Sequence, residues 1–288
     1  MEVLRFIVEQ RGTKQTLMAK DNGGWTCAHA ASRNGQIELL RYIVDELGSE
    51  HGLTAQDAEG STCAHLASRS GQLELLRYIV EQLGSKHSLM ATDNDGSTCA
   101  HLASADGELE VLRFIVDQRG GQDTLTARDN NGETCAHVTS RNGHLQVLQF
   151  IVDQLGGEQS LTLQANDGET CAHVAAALGQ LELLQYMVDR LGSERTLTAQ
   201  DSDGSTCAHA AARSGQLEVL RFLVEQRGSE DTLMARDKAG WTCAHAAAAA
   251  GHLETLKYIV EQLGPKRALE ARDRNGESVK EAASGNEP

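Results

Sequence analysis

The 288-residue chain carries 26 basic and 41 acidic residues, a net charge of −15. That excess opposes a phosphate backbone or an anionic membrane surface and favours a basic partner, so no nucleic acid and no membrane are expected among its partners. No stretch has the apolar length of a membrane span, and the opening MEVLRFIVEQRG lacks the charged head, apolar run and cleavage site of a signal peptide, so a soluble, cytoplasmic chain is expected.

The tetrapeptide TCAH recurs seven times, with cysteines at 27, 63, 99, 135, 171, 207 and 243, each 36 positions after the last. A fixed period of this size means stacked supersecondary units that share a core, each in contact only with its neighbours. Residues 1–20 read as a partial unit holding a helix B and its arm. Seven full units fill 21–272, a partial unit with a turn and a helix A occupies 273–288, and the whole is expected to be one elongated domain.

In the first full unit, residues 21–24 carry turn chemistry, Thr26 is an N-cap, residues 27–34 form a short helix A, and Gly35 supplies a left-handed stop. Apolar residues at 37, 39, 40, 43, 44 and 47 mark helix B as Ile37–Leu47, with Gly48 ending it. Residues 49–56 alternate at Leu53 and Ala55, which suits an extended arm forming one side of a finger. Every Phe and Tyr falls in one helix B column, from Phe6 and Tyr42 to Phe222 and Tyr258, and reads as a packing ladder. Stacked elements lie about 8–10 Å apart whereas a disulfide needs Cα atoms within about 7 Å, so the seven cysteines are expected to be free thiols.

The pattern D-x-x-G-x-T-C-A-H-x-A-x-x-x-G-x-L-E-x-L resembles the ankyrin repeat, whose helix A opens with T-P-L-H, and the resemblance covers essentially the whole chain. It implies an all-α solenoid of helix–turn–helix units with β-hairpin fingers, and protein binding without catalysis. Three departures stand out. Cys replaces the usual Pro at the first helical position; the period is 36 where the family uses about 33; and the arm position before the alanine holds Met, Thr or Glu, so asparaginyl hydroxylation is not expected there. In the last partial unit, Ser278 and Glu281 form an S-x-x-E capping box in place of Thr and His.

Each C-x-H pair invites a zinc reading, but side chains two apart on a helix diverge by about 200°, so no metal and no cofactor are expected. The histidine three residues after the cap Thr can accept at one ring nitrogen and donate from the other to a neighbouring carbonyl. The resemblance extends that structural role to His29, His65, His101, His137, His173, His209 and His245. A thiol at a helix N-terminus gives a redox-sensor reading some basis, but seven equivalent thiols look like small-residue packing. No catalytic constellation stands outside the repeat columns, and the chain is read as not an enzyme.

The resemblance places partners across the fingers and the helix A face. The variable residues there are Trp25, Arg33, Glu59, Arg69, Asp95, Asp106, Glu133, Arg141, Asp167, Leu178, Asp203, Arg213 and Trp241. Repeats 5 and 7 lack the arginine found at 33, 69, 141 and 213, leaving Leu178 and alanines. A groove with acidic fingers and an apolar patch is expected from these residues, suited to a protein or peptide that is basic with an apolar anchor. A monomeric scaffold or adaptor is the leading expectation. The alternative is a self-assembling array in which the partial terminal repeats dock head to tail. A third reading makes the chain the recruiting arm of a larger enzyme.

Overall fold

A computed structural model of the chain describes residues 13–284, so the reading of residues 1–12 as a helix B lies outside the described residues. All regular structure among them is helical. The chain divides into two compact units, Met1–Gln154 and Leu155–Pro288.

The first unit opens with a short helix, Thr13–Leu17, and continues with three complete repeats, each built from three helices. In repeat 1 these are helix A (Cys27–Arg33), helix B (Ile37–Leu47) and a helix C (Ser49–Leu53). Repeat 2 places them at Cys63–Arg69, Leu73–Leu83 and Ser85–Leu89; repeat 3 at Cys99–Ala105, Leu109–Arg119 and Gly121–Leu125. Helices Cys135–Asn142 and Leu145–Leu155 begin repeat 4. Within the unit each helix A packs on its own helix B and on the helix A of the next repeat, and Leu40, Ile43, Leu75, Leu76, Leu112 and Ile115 form the core. The second unit repeats the plan. It has a helix C at Glu158–Thr162, three repeats with helices A at Cys171–Ala177, Cys207–Arg213 and Cys243–Ala249, and a last helix, Val279–Ser284.

Helix B occupies the apolar stripe that specifies it and stops where Gly48 turns to φ 79°. An L-residue with a side chain is strained in that region, and the Gly48 amide still closes the last turn on the Val44 carbonyl at 2.8 Å. Beyond Gly48 the chain does not form the extended arm expected for residues 49–56. Ser49–Leu53 is a helix that buries Gly52 and Leu53 against helix B, and Gly52 N–H donates to the Gly48 carbonyl at 3.0 Å. In two later repeats a hydroxyl in the Gly52 column bonds within the same turn, Ser88 Oγ donating to Gly84 O at 2.8 Å and Thr196 Oγ1 to Gly192 O at 3.0 Å. Two apolar positions two apart fit a strand as well as a helical turn. The helix is selected by the packing of Gly52 and Leu53 on helix B, with its amides bonded within the turn.

The β-hairpin fingers also take a different form: among the described residues there is no strand, and one isolated antiparallel bridge joins Arg272 and Ser278. Each finger is a turn. In repeat 2, Asp57 N–H donates to Ser61 O at 3.0 Å while Asp57 Oδ1 accepts from the amides of Glu59 and Ser61 at 2.9 and 2.8 Å. Tips are tied in series, with Asn94 N–H donating to Glu59 O and Asn130 N–H to Asp95 O, both at 2.9 Å. This spacing demands glycine at the finger, since a Cβ on Gly60 would lie 2.8 Å from the Asn94 amide. In repeat 5 Ala165 replaces the turn aspartate, and Asp167 Oδ1 takes the Glu169 amide instead.

Helix C and the cysteines form one contact. The Cys99, Cys207 and Cys243 thiols donate to carbonyls of the preceding helix C, Ser88, Thr196 and Thr232, at 3.6–3.7 Å. A proline in that column could not make it. Burial pushes the Cys63 thiol up to about 11 and those of Cys99, Cys135, Cys207 and Cys243 to about 12, which outweighs any activation by the helix N-terminus. None of the seven cysteines is in a disulfide, and Cys27 alone is partly exposed. Labelling with an aromatic disulfide reagent under native conditions is expected to modify Cys27 rapidly and the other six only as the fold opens. Fast native labelling of all seven would contradict this packing.

Candidate functional site

The face formed by the fingers and the helix A ends is positioned by the histidines. In repeat 1, His29 Nδ1 accepts the Thr26 amide at 3.0 Å and lies 2.9 Å from Thr26 Oγ1, in capping-box geometry. A backbone N–H can only donate, so Nδ1 is unprotonated and the ring proton sits on Nε2. That nitrogen donates to Ala55 O, in the arm that ends its own repeat, at 3.0 Å and to Ser61 O, in the next finger, at 3.2 Å. His65 and His101 reach Ala91 O and Ala127 O, each at 3.0 Å; His173 and His209 reach Ser205 O and Trp241 O, each at 3.1 Å. His137 caps Thr134 in the same way, and His245 caps Thr242 at the last junction. Both ring nitrogens of His29 are committed to the backbone, so the Cys27–His29 pair offers no imidazole lone pair to a metal. No group of three or more His, Cys, Asp or Glu among the described residues is arranged to hold one.

Burial holds His29, His65, His101, His173, His209 and His245 below the usual imidazole range. The unfolded chain therefore binds protons at these sites at a pH where the folded chain does not, and stability falls as pH drops below about 6.5. Denaturant midpoints between about pH 7.5 and pH 5 are expected to decline steeply, and replacing a single histidine by Gln to flatten the slope. A midpoint that is constant over that window would contradict the neutral, buried state.

The residues expected at a partner surface fall into two groups. The tip carboxylates Glu59 and Asp95 in the first unit and Asp167 and Asp203 in the second are exposed. Their backbone carbonyls carry the tip-to-tip bonds, with Ser202 donating to Asp167 O and Lys238 to Asp203 O at 2.8 Å, so the chain is fixed while the carboxylates face solvent. The helix A arginines, by contrast, are engaged. Arg33 lies over the Trp25 ring at 5.4 Å; Arg69 pairs with Asp106 at 3.7 Å; Arg141 forms an ion pair with Glu133; and Arg213 reaches Ser205 Oγ at 3.4 Å. Glu133 is thereby drawn in to 8% exposure, unlike the exposed tip carboxylates. Repeat 3 also lacks the arginine, holding Ala105, which leaves room for Arg69 to reach across to Asp106.

In the second unit Leu178 is 45% exposed, one of few large apolar side chains in solvent, while Trp241 is half-buried and stacks on the His245 ring at 6.1 Å. The tip row also changes sign there, because Lys238 is exposed and spans back to Ser202 O. Sequence reasoning missed the arginine pairings, three of which join positions eight residues apart across a helix and a turn, while Arg69 reaches Asp106 in the next repeat. It also missed a second use of the helix B arginines: Arg41, Arg77 and Arg113 each lie over the aromatic ring of the next repeat, Tyr78, Phe114 and Phe150, at 4.6–4.7 Å. The parallel Arg and aromatic columns were the available signal.

A family model described as ankyrin repeats (3 copies) matches overlapping segments at residues 1–91, 47–127, 79–162, 119–199, 151–235 and 172–268. No curated protein matches the chain at a significant level.

Proposed function

From the premise that the chain belongs to the ankyrin repeat family, we propose that it is a non-catalytic scaffold or adaptor whose fingers and helix A ends take a basic peptide carrying an apolar anchor. Ankyrin repeats are generally protein–protein interaction modules and generally without catalysis. The observation that carries the finer reading is the asymmetry of the face. Its arginines are paired with neighbouring side chains, whereas the tip carboxylates at Glu59, Asp95 and Asp203 stand in solvent on backbone held by hydrogen bonds, and Asp167, exposed too, accepts the Glu169 amide at one oxygen. Charge of one sign on rigid backbone attracts the opposite sign with little reorganisation. Leu178 and the alanines Ala249 and Ala250 supply a low apolar floor in the second unit for a side chain between the basic residues. Seven cysteines outside any disulfide favour a reducing, cytoplasmic setting.

A peptide array in which Lys and Arg flank a Leu or Phe is the probe. Binding is expected to weaken roughly tenfold between low and high salt and to be lost on combined reversal of Asp95, Asp167 and Asp203 to Lys. Salt-independent binding, or full tolerance of the reversals, would sink the basic-peptide reading.

A further inference from the structure

Helix B ends on leucine at Leu47, Leu83, Leu155, Leu191 and Leu263, but on arginine at Arg119 and Arg227. In the second unit the arginine has a partner. Helix B of repeat 6 (Leu217–Arg227) packs on helix C of repeat 5 (Ser193–Leu197), and Arg227 Nη2 pairs with Glu194 Oε2 at 3.2 Å. In the first unit helix B of repeat 3 (Leu109–Arg119) packs in the same way on helix C of repeat 2 (Ser85–Leu89). Here the residue in the Glu194 column, 33 positions before the arginine, is Lys86. Arg119 therefore meets a cation where Arg227 meets an anion. It makes no ion pair or hydrogen bond among the described residues, and its Nε is buried without an acceptor. Asp123, exposed in the following helix C (Gly121–Leu125), does not pair with it either. A guanidinium drawn partly out of water with no counter-charge is unfavourable, and an ammonium in the neighbouring column adds repulsion.

We propose that Arg119 and Lys86 form a carboxylate-binding site that takes a glutamate or aspartate side chain of a partner protein at this corner of helices B and C. The Arg227–Glu194 pair fixes the ligand chemistry, because the same corner of the repeat already seats a carboxylate on the guanidinium. With lysine in the glutamate column the carboxylate comes from the partner, and the exposed Lys86 ammonium adds a second donor. One entering carboxylate offsets both the uncompensated guanidinium and its repulsion by the ammonium. The chain carries a net charge of −15, so the corner is a local reversal of sign. An acidic segment is held there and repelled along the rest of the surface, which fixes its position more than it adds affinity. Neither residue belongs to the fingers or to helix A, so the site is separate from the one proposed for a basic peptide.

Fluorescence anisotropy of a labelled hexaglutamate peptide, titrated at low salt with the full 288-residue chain, tests this. The peptide is expected to bind, and to bind about tenfold more weakly to two variants. Arg119→Leu installs the residue usual in that column, and Lys86→Glu restores the internal counter-charge seen at Arg227. Lys86→Glu is also expected to raise the thermal midpoint, since the guanidinium gains a partner. Lys257→Glu makes the same change of charge at an exposed position on helix B of repeat 7 (Leu253–Leu263) and is expected to leave binding intact. A parent chain that does not bind the peptide overturns the proposal. So does equal weakening by Lys257→Glu, which would reduce the effect to net charge, and so does a Lys86→Glu chain with unchanged binding and midpoint. Displacement of the peptide by inorganic phosphate at a lower concentration than by acetate would assign the corner to a phosphate group and overturn the carboxylate reading. Should Arg119→Leu fail to fold, Lys86→Glu carries the test at an exposed position. Binding of a basic peptide at the fingers is measured separately, and failure of either result leaves the other standing.

Discussion

One hydrogen-bonding group per repeat, the histidine of TCAH, ties local structure to the array. Its Nδ1 satisfies an amide at the start of its own helix A, where the backbone has no helical partner, and its Nε2 satisfies carbonyls at the base of the next finger. In repeats 1, 3, 5 and 6 the same imidazole therefore starts its own helix A and reaches a finger carbonyl of the next repeat. An isolated repeat keeps the contact to Ala55 O but loses the one to Ser61 O, in keeping with units that draw part of their stability from neighbours. The finger surface proposed to meet a partner is rigid because this bond and the tip-to-tip amide bonds hold it from two sides.

The long period and the unusual cysteine belong to the same feature. Residues added after helix B build helix C, whose carbonyls accept the thiols of the next repeat. A proline would start helix A equally well but would leave those carbonyls without a donor in a buried place. The thiols are consequently packing groups, sealed and held protonated, and chemistry at sulfur is suppressed by the contact that makes them useful.

Much of this is legible in the sequence, and the remainder has physical reasons. The bounds of helix B, Ile37–Leu47, come from an apolar stripe and a glycine stop, both local signals, while helix A ends at Arg33, one residue short of the sequence expectation. Helix C reads as an extended arm because Leu53 and Ala55 alone do not distinguish the two forms, and the choice is made by packing of Gly52 and Leu53 on helix B. On the candidate surface, the repeat names residue types and columns but not the partners of Arg33, Arg69 and Arg141. Those contacts depend on the fold of the turn and on neighbouring repeats. A face that in sequence mixes free charges of both signs is, once folded, one where the arginines are occupied and the tip carboxylates are left outward.

The most direct measurement is amide hydrogen exchange on a His101→Gln variant of the full chain. Loss of the Nε2 bond to Ala127 O and of the Nδ1 cap on Thr98 is expected to raise exchange at the start of helix A in repeat 3 and in the finger of repeat 4, with helix B of repeat 1 unchanged. Unaltered protection at both sites would show that the imidazole does not carry the junction.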